Sequence, residues 1–102
     1  MIRQRVDLQA IFEEILGNDH VYFQPPPNLV MEYPCIVYHR DFALTFFADN
    51  YPYRYGKRYM VTVIDRDPDS PIPDRVAQLP MCKYDRTYTA DNLNHDVYRL
   101  FF

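Results

Sequence analysis

Between Lys57 and Leu79 the spacing of apolar residues changes from a period of 2 to a period of about 3.6. Residues 57–64 are rich in β-branched and aromatic side chains and predict a strand. Asp65, Arg66, Asp67, Pro68 and Asp69 make a polar turn. Residues 70–79 then predict a short helix. Ser70 suits its N-cap, Pro71 its first position, and Asp74 lies near the positive end of its dipole. Ile72, Val76 and Leu79 fall on one face of that helix.

The same pattern reads outward from this stretch. Residues 3–16 predict an amphipathic helix with Leu8, Ile11, Phe12 and Ile15 on one stripe, extended by Val6. Gly17 is placed to end it in a left-handed conformation, and Glu13 and Glu14 are expected in solvent. A short strand follows at 20–23, then Pro25, Pro26 and Pro27, which stop a ladder and predict a stiff extended crossover. Residues 33–40 predict a central strand with Pro34 at its start, and a second strand lies within 42–48. Residues 49–56 are dense in turn residues and tyrosines and predict an exposed loop. The tail predicts a hairpin of 81–89 and 93–102. Strict alternation there puts Cys82, Tyr84, Arg86 and Tyr88 on one face, and Asp96, Tyr98, Leu100 and Phe102 on one face of the last strand. The order α-β-β-β-β-α-β-β predicts a single α+β domain over 1–102. Its mostly antiparallel sheet would have five to six strands, with the N-terminal helix and the short second helix on one face.

Composition narrows the function. At 102 residues with 48% hydrophobic and 25% charged, the chain can bury one modest core and is not disordered. Ten tyrosines and seven phenylalanines either fill a sheet or cover a contact surface, and the second alternative points to oligomerisation. A net charge of −3 argues against binding nucleic acid by neutralising phosphates. Cys35 and Cys82 fall in strands and are expected as free thiols. No apolar run approaches the roughly 18 residues that span a bilayer, so no membrane partner is expected and the chain reads as soluble, made in the cytoplasm.

Candidate chemistry is sparse. Asp65, Asp67 and Asp69 alternate as at the opening of a calcium loop, but the sixth position is Ser70 rather than Gly and the twelfth is Val76 rather than Glu. His20, His39, His95, Cys35 and Cys82 lack zinc-ligand spacing. Cys35 and His39 share a strand face but stand roughly 13 Å apart, too far for proton transfer. With only Gly17 and Gly56, no Gly-rich phosphate loop forms. These residues predict no enzyme, no cofactor and no metal.

The ordered layout, more than any one motif, resembles the tail terminator or tail-completion proteins of long-tailed bacteriophages. The resemblance rests on the N-terminal helix, the step Tyr22 to Pro27, the strand Tyr33 to Tyr38, the loop Phe47 to Pro52, and the strand Arg58 to Asp65 leading into a helix. It implies a virion protein, assembled in the host cytoplasm, that caps the tail tube as a homo-oligomeric ring, typically a hexamer. Such a ring ends tail polymerisation and offers a surface for head–tail joining. The implied partners are other copies of the chain, the tail tube protein and the head-side connector or stopper. DNA would pass through the ring without specific binding, which suits an acidic subunit. Tyr51, Tyr53, Arg54, Tyr55 and Arg58 are the expected interface. A head–tail adaptor, head-closure or minor capsid protein is the neighbouring alternative. From a different class, a small single-stranded nucleic-acid module could use Arg54, Lys57 and Arg58 beside Tyr53, Tyr55 and Tyr59.

Overall fold

Leu8, Phe12 and Leu16 lie one turn apart and are buried together, which fixes the first helix, α1 (Arg5–Leu16), against the sheet. The computed structural model describes residues 4–102, apart from the side chains of 44, 46–48 and 51–55. After α1 come β1 (Val21–Phe23), β2 (Cys35–Ala48), β3 (Tyr51–Asp65), α2 (Ile72–Ala77), β4 (Cys82–Ala90) and β5 (Leu93–Phe101). They form one five-stranded sheet in the order β1-β2-β3-β5-β4, with every pair antiparallel except β1 and β2. The fold is therefore α+β, as the periodicity predicts.

Both helices pack on one face. Ile36 and Tyr38 pair with Val63 and Val61, and Tyr98 lies beside Val61. These side chains form the main core with Leu8, Phe12, Leu16, Ile72 and Val76. Tyr38 sits at its centre, edge-on to Phe12, while its hydroxyl donates to Gln9 Oε1 and accepts from Arg5. A buried aromatic with a satisfied polar tip is a stable arrangement. On the other face the segment 24–34 crosses over the sheet, and Met31 and Tyr33 cover Cys35, Ile64 and Leu93. The Tyr33–Pro34 peptide bond in this segment is cis. This crossover is what makes β1 parallel to β2.

Several expectations need correction. The two strands expected at 33–40 and 42–48 are one strand, β2, interrupted by a bulge at Asp41. The loop expected at 49–56 is only a tight turn: Asp49 and Asn50 both have positive φ, and Tyr51 already pairs with Ala48. This conformation at both central residues matches the strand twist, so the hairpin closes without a longer loop. Val6 is 61% exposed and lies off the helix stripe, and Glu13 is half-buried. The second helix starts at Ile72, two residues past Ser70, although Ser70 Oγ accepts from the Ile72 N–H at 3.3 Å. In β4 a bulge at Asp85 reverses the alternation. Cys82 and Tyr84 thus pair with Leu100 and Tyr98 of the core face, whereas Arg86 and Tyr88 pair with Val97 and His95 of the opposite one.

Candidate interaction surface

The β2–β3 hairpin is longer than the sheet it belongs to. β1 pairs only with residues 36–38 of β2, and β5 ends against Arg58 of β3. Beyond that line, residues 43–48 and 51–56 form a two-stranded ribbon with no third strand among the described residues. Six residues of extended chain span about 20 Å. The molecule accordingly measures 51 × 25 × 23 Å, with a radius of gyration of 14.8 Å against about 13 Å for a compact chain of this length. The ribbon is an arm, and Asp49 and Asn50 are its tip.

The expected interface residues map onto this arm. Tyr51, Tyr53, Arg54 and Tyr55 belong to the β3 half of the ribbon rather than to a loop, and their side chains lie outside the described residues. The pairing is irregular between Phe46 and Phe47, which leaves Tyr53 without an opposite residue. Arg58 sits at the root. Its Nε and one terminal nitrogen donate to the two oxygens of Asp41 at 3.1 and 3.3 Å, and its guanidinium lies 4.7 Å from the centre of the Phe42 ring. The bulge at Asp41 turns that carboxylate towards Arg58, so a two-pronged ion pair clamps the place where the arm leaves the sheet. Of the residues of the nucleic-acid alternative, Arg54, Tyr53 and Tyr55 have side chains outside the described residues, and the other three do not share a face. Lys57 and Tyr59 are one register step from Arg58 on either side, which places them on the opposite side of the ribbon.

A second feature was not anticipated. On the face away from the helices, Arg58, Met81, Lys83, Asp85, Arg99 and Phe101 line a groove of about 440 Å³. Asp85 takes Arg86 at 3.1 Å and stands 3.4 Å from Arg99 Nε, which is buried and makes no hydrogen bond. Lys83 joins no ion pair among the described residues. The signal was present in the sequence only as scattered charges, because the groove brings together β3, the start of β4 and the end of β5.

The groups weighed for catalysis are arranged otherwise. Burial, with some repulsion from Asp65, pushes the Cys35 thiol up to about 12, which suppresses the thiolate a nucleophile needs. Asp65 and Asp67 accept the backbone N–H groups of Asp67 and Asp69 at 3.0 and 2.9 Å, so the acidic turn is held by successive side-chain caps. Among the described residues no cluster of three or more metal-ligating side chains occurs, and no helix is long and apolar enough to cross a membrane. Neither a protein-family model nor a curated protein sequence matches the chain.

Proposed function

We propose that the chain is a structural protein of a long-tailed phage neck, which closes into a homo-oligomeric ring on the tail tube. There it ends tube polymerisation and meets the head-side connector. The observation that carries this reading is the arm. A two-stranded ribbon is marginal in water, and both its edges offer unpaired N–H and C=O groups. A ribbon of this length is sustained by adding its edge to a neighbouring chain. A contact between an arm and a different surface of the next subunit is heterologous, and a heterologous contact that closes by rotation gives a ring. The aromatic residues of 42–55 suit such a contact. The reading also draws on the resemblance in sequence layout to tail terminators. An adaptor or head-closure protein of the same neck would use the arm in the same way.

Light scattering over a concentration series, with negative-stain images of the chain alone and mixed with tail tubes, tests the proposal. Closed rings, free or seated on tube ends, are the expected result. A chain that stays monomeric and leaves tube length unchanged overturns it. The nucleic-acid alternative draws on the cation–aromatic pairs of the open face, Arg58 over Phe42 and Arg86 over Tyr88. It requires tight binding of single-stranded DNA by the monomer in the same experiment.

A further inference from the structure

The two ends of the sheet carry opposite charge. At the arm end of the open face, Arg58, Lys83 and Arg99 face Asp41 and Asp85, three cations against two carboxylates. At the far end, Asp65, Asp67 and Asp69 project from the β3–α2 turn, and Asp91 lies in the adjoining β4–β5 turn. None of these four joins an ion pair among the described residues, and Arg66 is the cation among them. Arg58 and Asp65 are seven strand residues apart, about 23 Å. The net charge of −3 therefore hides a chain that is basic at one end of its sheet and acidic at the other.

We infer that the groove at Arg58, Lys83 and Arg99 receives the acidic turn Asp65–Asp69 of a neighbouring copy of this chain. The inference rests on the ring reading and specifies its polarity. The argument is charge complementarity combined with direction. A basic surface and an acidic surface at opposite ends of one molecule satisfy each other only head to tail, the heterologous arrangement that a ring needs. The groove also matches in kind. Lys83 joins no ion pair among the described residues and keeps its donors for an incoming carboxylate, and the exposed Met81 with Phe101 gives an apolar wall for Pro68 between Asp67 and Asp69. The turn is presented rigidly, because Asp65 and Asp67 each spend one oxygen on the turn backbone and keep the other outward-capable.

Paired charge reversal tests this. Lys83→Glu, and separately Asp67→Lys with Asp69→Lys, should each raise the concentration for half-assembly about tenfold or more. Mixing the two variants in equal amounts should restore assembly, since each reversed surface then meets its complement in an alternating ring. Zero-length carbodiimide coupling of a ¹⁴N/¹⁵N mixture of the native chain should join Lys83 of one copy to an aspartate of 65–69 in another. Rings that form equally well in both single variants, or coupling that joins Lys83 elsewhere, overturn the inference and leave the ring proposal standing. Loss of single-stranded DNA binding in Lys83→Glu with assembly unchanged overturns it in favour of a polyanion site. A native chain monomeric alone and on tail tubes overturns both.

Discussion

One hairpin runs through two environments. In the body of the sheet, Ile36 and Tyr38 of β2 meet Val63 and Val61 of β3, with β1 and β5 on the outer edges and α1 and α2 over one face. In the arm the same two strands continue with no neighbour on either edge among the described residues. The two strands pair antiparallel in both halves, with a register break between Phe46 and Phe47 in the arm. In the body each fully buried Val or Ile contributes about 1.5–3 kcal/mol, and β1 and β5 pair its outer edges, whereas a two-stranded ribbon is marginal in water by itself. The proposed ring contact would complete the edges of the arm, while the body needs no such partner for its own edges.

The largest effect expected from this contrast is in the body. Phe12 is fully buried against Tyr38, so Phe12→Ala should lower the unfolding free energy by about 3–5 kcal/mol in urea titrations. A loss under about 1 kcal/mol would mean that α1 does not hold the sheet. Burial also has a pH signature. It raises the Tyr98 phenol from 10.0 to about 12, with Asp96 adding to the shift, and raises the Tyr38 phenol as well. A group whose proton is held more tightly in the folded chain stabilises fully below its unfolded pKa and loses that contribution as pH rises through the folded value. Stability should thus fall between pH 10 and about 12, with about 2 kcal/mol traceable to Tyr98. Guanidinium titrations at stepped pH should show a shallower fall for Tyr98→Phe. An unchanged slope would remove Tyr98 from the account.

The root of the arm comes next in size. Arg58 and Asp41 are half-buried and joined by two hydrogen bonds, so a double-mutant cycle with Arg58→Ala and Asp41→Ala should give a coupling of about 1 kcal/mol. If coupling is absent in global unfolding but present in amide exchange of 42–48, the clamp serves the arm alone.

The contrast between body and arm also explains what could be read from the sequence. The elements with one buried face, α1, the body half of β3, α2 and β5, announce themselves by period, because burial of alternate or every third to fourth residue is what fixes them. The arm breaks that rule. Residues 51–56 do not alternate cleanly between apolar and polar, and Pro52 and Gly56 make them look like a loop. Pro52 is tolerated because no third strand asks for its N–H. Two of the register breaks fall on an aspartate next to an arginine, Asp41 after Arg40 and Asp85 before Arg86, a charge pair interrupting an alternating run. That was the available sign of a register break. The parallel β1–β2 pairing and the basic groove depend on residues distant in sequence, and no local pattern marks them.

The smallest expected effect on stability separates the two regions most sharply. Replacing residues 44–56 by Asn-Gly leaves Ala43 and Lys57 joined by a two-residue turn of the type this register accepts. Among the described residues, none of the main core is removed. The midpoint and slope of urea unfolding should therefore stay close to those of the full chain, within about 0.5 kcal/mol. Ring assembly, by contrast, should be abolished, because the edges that a neighbour would extend are gone. A shortened chain that unfolds much earlier would show that the arm folds back to support the body. A shortened chain that is equally stable and still forms rings would place the subunit contact elsewhere, with the charged ends of the sheet as the surface left to carry it.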